Sequence, residues 1–110
     1  MSEYNPDRWV IVKIKNKNET FYKVLGGWSG GYLDADSWRL SSGVEKIEEK
    51  GNYYLIHNYS GSIYKCHKQG VGTTGLSGGI YASMRDKAKD EGVEVSIISV
   101  EDYLKETQTI

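Results

Sequence analysis

By type, Cys66, His57 and His67 are the residues of this 110-residue chain best suited to chemistry. A thiol beside an imidazole can act as an activated nucleophile, and both side chains are metal ligands. Their spacing decides what they can share. Alternation along a strand sends Cys66 and His67 to opposite faces. With Ser60-Gly61 as a two-residue hairpin loop, His57 falls opposite Tyr64 and diagonal to Cys66, on one face with Leu55, Tyr59 and Ser62. Such a pair still needs an orienting group, and no third, acidic partner is evident nearby. A small buried thiol and a hydrogen-bonded imidazole are the plainer expectation, and zinc ligands are too few for a structural site. No catalytic residue, metal ligand or cofactor is assigned on this basis.

The stretch Gly70-Val71-Gly72-Thr73-Thr74-Gly75 matches the glycine spacing of a dinucleotide loop, follows a strand-like run and precedes a helical one. In that setting the glycines let backbone approach a pyrophosphate while the helix N-terminus contributes positive potential. However, the preceding run IYKCHKQ is too polar for the central strand of a parallel sheet, and Leu-Ser-Gly-Gly intervenes before the helix. A looser anion or nucleotide site stands as the alternative reading, formed by Lys65, Lys68, Gly72, Thr73, Thr74, Ser77, Gly78 and Gly79. Asp34 and Asp36 could bind a cation, but D-A-D-S lacks the glycine and terminal glutamate of a calcium loop, so turn chemistry accounts for them. Lys13, Lys15 and Lys17 fall on one side of the first strand and its tip, where a solvated face is the simpler reading.

Positioning these residues falls to strands followed by helices. Arg8 to Lys15 alternates, with Val10, Val12 and Ile14 on a buried face and Trp9, Ile11, Lys13 and Lys15 on the other. Thr20 to Trp28 returns as a second strand, in which Gly26-Gly27 signals a bulge or the close approach of another backbone. A short strand is expected around Trp38 to Leu40, and Val44 to Glu49 reads as a charged edge strand. Asn52 to Gln69 forms the central hairpin. Ile80 to Glu91 is expected to be a helix with Ser77 as N-cap, Gly92 just past its end and an apolar stripe of Ile80, Tyr81, Met84 and Ala88. Val93 to Ser99 is the last strand, and Ser99 with Asp102 caps a short helix that puts Val100, Tyr103 and Leu104 on one face. The fold class is therefore α+β: an antiparallel meander of about five to six strands with a C-terminal helix-strand-helix packed on it.

Composition narrows the function classes. A net charge of −1 with 26 % charged residues gives no bulk field to draw the chain to nucleic acid or an anionic membrane. No apolar run reaches membrane-spanning length, and MSEYNPDRWV lacks an apolar leader core, so no membrane association is expected. One cysteine cannot form an internal disulfide, which fits a cytoplasmic location. The length suits a single domain over 1–110.

Nine Tyr and three Trp stand against one Phe, and a Tyr ring can be buried while its hydroxyl is kept for water or a partner. Trp28 to Tyr32, Tyr59 to Tyr64 and Leu76 to Tyr81 each place a large apolar residue before Ser-Gly and a Tyr after it. Their unequal spacing, 31 and then 17 residues, rules out a solenoid or propeller repeat. Ser-Gly is good turn chemistry, and at one end of a sheet such turns would present amides and rings together. The expected partner-binding residues are Trp28, Tyr32, Trp38, Tyr59 and Tyr64.

The run WRLSSGVEKIEEKGNYYLIHNYSGSIYKCHK resembles small early proteins of T-even-like tailed bacteriophages. That resemblance implies a protein that works in the host cytoplasm by binding a host or defence component. The expectation is a non-catalytic module that binds a protein partner as an inhibitor or adaptor, with self-association as a further property. The anion or nucleotide site stands as its alternative.

Overall fold

The computed structural model describes residues 2–30 and 36–108. Its elements run β1 (Glu3–Tyr4), β2 (Arg8–Lys15), β3 (Thr20–Trp28), β4 (Ser37–Leu40), β5 (Val44–Lys50), β6 (Tyr53–Asn58), β7 (Ile63–His67), α1 (Gly75–Asp90), β8 (Glu94–Ile98) and α2 (Val100–Thr107). The α+β class and the C-terminal helix-strand-helix are as the sequence suggests. The strands, however, divide into two four-stranded sheets, ordered β1-β7-β6-β5 and β4-β3-β2-β8. Among the described residues the named strands pair antiparallel except β1 with β7, and an isolated parallel bridge joins Trp9 and Val71. The charged strand β5 is an edge, as its composition suggests. No helix among the described residues is long and apolar enough to cross a membrane.

Strand β2 explains the layering. Trp9 and Ile11 face the first sheet and pack with Val24, Ile56, Tyr64 and Cys66, while Val100 and Tyr103 of α2 complete this core. Val10 and Val12 face the other way and join Leu25 in a second core, against which Tyr81 of α1 packs. Both faces of β2 are therefore buried, not one, because its sheet is the middle layer between a second sheet and a helix. Each fully buried aliphatic side chain here, such as Ile11 or Ile56, stabilises the fold by roughly 1.5–3 kcal/mol.

Gly26 and Gly27 mark close approach without a bulge, since the β2–β3 register runs unbroken through them. A Cβ on Gly26 would lie 3.1 Å from Cβ of Pro6, and one on Gly27 would lie 2.9 Å from Oγ of Ser77. Helix α1 therefore docks by its first turn against bare backbone. It starts at Gly75, earlier than the glycines suggest, and Thr74 rather than Ser77 is its N-cap. Thr74 Oγ1 accepts from the Ser77 amide at 3.0 Å while Ser77 Oγ accepts from the Thr74 amide at 2.9 Å. This reciprocal cap and the docking on Gly27 offset the roughly 0.5–1 kcal/mol that a glycine inside a helix costs.

The β6–β7 hairpin corrects the expected register by one residue. Asn58 and Ser62 close a loop of Tyr59, Ser60 and Gly61, with Gly61 at φ 93°, and His57 pairs with Ile63 while Ile56 pairs with Tyr64. Asn58 fixes the longer loop by donating from Nδ2 to the carbonyls of Ile56 and Ser62, both at 3.2 Å. A shift of one residue exchanges the faces. Tyr64 and Cys66 consequently point into the core, and His57 points away from it.

Candidate binding cleft

The β4–β5 connection is fastened to β3 by Ser41, whose amide donates to the Val24 carbonyl at 2.9 Å and whose Oγ accepts from the Val24 amide at 2.8 Å. Gly43 follows, and its carbonyl accepts from the Tyr59 amide at 2.9 Å. With no side chain on Gly43, the Tyr59 ring lies over it; a Cβ there would stand 3.4 Å from Cδ2 of the ring. Tyr59 is thereby held outward at the hairpin turn, 75 % exposed. Across from it α2 brings Tyr103 onto Tyr22, edge-on at 5.0 Å between ring centroids. Between the start of β3, the start of β5, the Tyr59 turn and α2 lies a half-open cleft of about 570 Å³, with Phe21, 44 % exposed, at its edge. That volume lies in the range of small-ligand and side-chain pockets.

The groups lining the cleft are suited to holding rather than transforming. Tyr22 donates its hydroxyl proton to Glu106 Oε1 at 2.9 Å. Burial, and then this bond to a carboxylate, push Tyr22 up to about 12. Burial likewise raises Tyr103, with Tyr59 adding to the effect. Both phenols stay protonated at neutral pH and offer neutral hydrogen bonds beside aromatic faces. Glu106 also bonds Lys13, and that bond first among several causes holds its carboxyl below the usual range. The Lys13–Glu106–Tyr22 cluster ties α2 to β2 and β3 and so fixes one wall of the cleft.

Of the expected partner rings among the described residues, only Tyr59 lines this cleft. Trp28 is half-buried, donates Nε1 to the Asn5 carbonyl at 2.9 Å and packs on Tyr4. Trp38, 42 % exposed, is two residues from Leu40 on the same strand and so shares its face, on the α1 side of the sheet. Tyr64 is a correction: it is fully buried and cannot offer its ring to a partner. Tyr32 lies outside the described residues, as does Asp34. Phe21, Tyr22 and Tyr103 were not singled out from the sequence as partner residues. Strand alternation and the apolar face of α2 account for Tyr22 and Tyr103 as core positions, and only the packing of α2 beside the hairpin turn reveals their shared cleft.

The residues of the anion reading do not converge. Lys65 lies over the Tyr53 ring at 4.6 Å on the outer face of the first sheet, and Lys68 bonds Glu49 and lies over Tyr54. Gly72 to Gly79 lie at the α1 start, where the amides of Thr74, Ser77 and Gly78 are satisfied within the cap and helix and Ser77 is buried. Strand β7 belongs to one sheet and β8 to the other, antiparallel to β2, so the glycine motif does not sit in a parallel crossover. His57 meets Glu48 at 3.1 Å on the outer face, while Cys66 is buried on the inner one. The sheet itself keeps thiol and imidazole apart. Asp36 accepts from the Gly30 amide at 3.2 Å, which is turn chemistry, and no metal-binding group of side chains occurs among the described residues. Comparison with known proteins gave no matching family model, no matching curated protein and no matching solved structure.

Proposed function

We propose that this protein is a non-catalytic binding module that grips a partner protein in the cleft framed by Phe21, Tyr22, Tyr59 and Tyr103. The observation that carries this reading is the outward placement of Tyr59 over Gly43 at the mouth of a mostly apolar cleft. An aromatic ring held in one place binds at low entropic cost, and rings of this kind dominate interface energetics. The phage resemblance makes a host protein the partner class, with the module as inhibitor or adaptor in the host cytoplasm.

Affinity capture from bacterial cells, followed by direct binding measurements, tests this. Tyr59→Ala should weaken the captured partner by about 2 kcal/mol or more, roughly thirtyfold, with little change in stability. Trp38→Ala, on the far side of the sheet, should leave binding unchanged. Equal affinity of the Tyr59→Ala protein and the original would refute the cleft as the contact surface.

A further inference from the structure

Next to the aromatic cleft, sharing Ser42 with it, lies a second cavity of about 510 Å³ between the β1–β7 edge and β4. Its lining is rich in hydrogen-bond donors and, among the described residues, contains no carboxylate. Ser42 Oγ donates to Ser60 Oγ at 3.0 Å, and Ser60 Oγ meets Ser62 Oγ at 3.2 Å. Three hydroxyl protons serve those two bonds, so one is left over whichever way the chain of bonds runs. Ser41 Oγ is used as an acceptor by Val24, which leaves its own proton without an acceptor among the described residues. Arg39 adds a fixed positive charge. Its guanidinium lies 4.5 Å from the Tyr4 ring centroid and pairs with no carboxylate among the described residues. Tyr64 completes the lining; its hydroxyl is fully buried and lies beside Arg39, whose charge opposes the rise that burial gives the phenol.

A buried hydroxyl proton left without an acceptor, as on Ser41, is destabilising unless a bound group takes it up. What the whole set lacks is an acceptor with negative charge. We propose that this cavity is an oxyanion subsite, in which Arg39 and the hydroxyls of Ser41, Ser42, Ser60 and Ser62 hold a phosphoryl or carboxylate group. A planar guanidinium flanked by hydroxyls is the donor geometry that such groups select. The subsite does not depend on what fills the aromatic cleft.

Amide NMR titrations of the intact chain with inorganic phosphate and with acetate, at constant ionic strength set by chloride, test the proposal. The amides of Ser42, Ser60 and Ser62 should shift in a saturable manner. Arg39→Gln should weaken the apparent affinity about tenfold or more, and Ser62→Ala severalfold. Tighter binding of phosphate than of acetate identifies a phosphoryl ligand, and the reverse order a carboxylate; either supports the subsite. Shifts that never saturate, shifts spread over surface lysines, or an affinity unchanged in either variant that keeps the fold would overturn it. Ser62→Ala removes a single oxygen from a partly exposed side chain, so it decides the matter even if Arg39→Gln disturbs the fold.

Discussion

Adding one methyl group should have opposite signs at Gly27 and Gly79, and the structure sets the sizes. On Gly27 the new Cβ would stand 2.9 Å from Ser77 Oγ and 3.0 Å from both Cγ2 and Oγ1 of Thr74. Those are atoms of the α1 cap itself, and Ser77 is only 1 % exposed, so they cannot step aside into solvent. Overpacking of this kind costs about 1–3 kcal/mol, and loss of the cap about 1 kcal/mol more. Against this, alanine in a strand recovers about 0.5–1 kcal/mol relative to glycine. Gly27→Ala should therefore destabilise by roughly 1–3 kcal/mol, a fall in melting temperature of roughly 4–12 °C for a domain of this size. At Gly79, within α1, a Cβ meets nothing within 4 Å. There the same change should stabilise by about 0.5–1 kcal/mol. Urea and thermal unfolding, followed by circular dichroism, measure both. Melting of Gly27→Ala at or above the original, or movement of both variants in the same direction, would refute the account of how α1 is seated.

Glu106 gives a pH dependence. Its carboxyl is held below the ordinary range in the folded protein, so its contribution is present above the unfolded value and is lost as pH falls through the folded one. Urea midpoints should fall more steeply on acidification across that window for the original protein than for Glu106→Gln, by well under about 1 kcal/mol because the Lys13 pair is solvent-screened. Parallel pH profiles would remove Glu106 from the wall of the cleft. Burial pushes the Cys66 thiol well up, so a thiol reagent at neutral pH should leave it unmodified until urea unfolds the chain; prompt labelling under native conditions would contradict the hairpin register.

Strand positions were readable where alternation and turn residues agree, as from Arg8 to Lys15 and in the Asn52 to Gln69 hairpin, whereas Val44 to Glu49 alternates poorly and was marked by its charge and the turn after it. Register was not. Ser60-Gly61 suggested a two-residue loop, and nothing in the composition shows that Asn58 would bridge across a longer one. The resulting exchange of faces moved Tyr64 from surface to core and parted His57 from Cys66. Glycines concealed the start of α1, since intrinsic propensity argues against helix at Gly75, Gly78 and Gly79, and the deciding contact is with Gly27, far away in sequence. For the cleft, the exposed Tyr59 was legible and its neighbours were not. Tyr103 reaches it only because α2 folds back over the start of β3, a tertiary fact that no local pattern carries.

Strand β2 reads out to two interiors at once, Trp9 and Ile11 to one and Val10 and Val12 to the other. Deleting or inserting a single residue inside it would swap the two sets, driving a bulky indole beneath a helix shaped for valine and leaving valine in a space built for tryptophan. Tolerance of length changes should therefore be confined to the Asn16–Glu19 turn beyond its end, whose ends are already joined by the Asn16 amide and the Glu19 carbonyl at 3.0 Å.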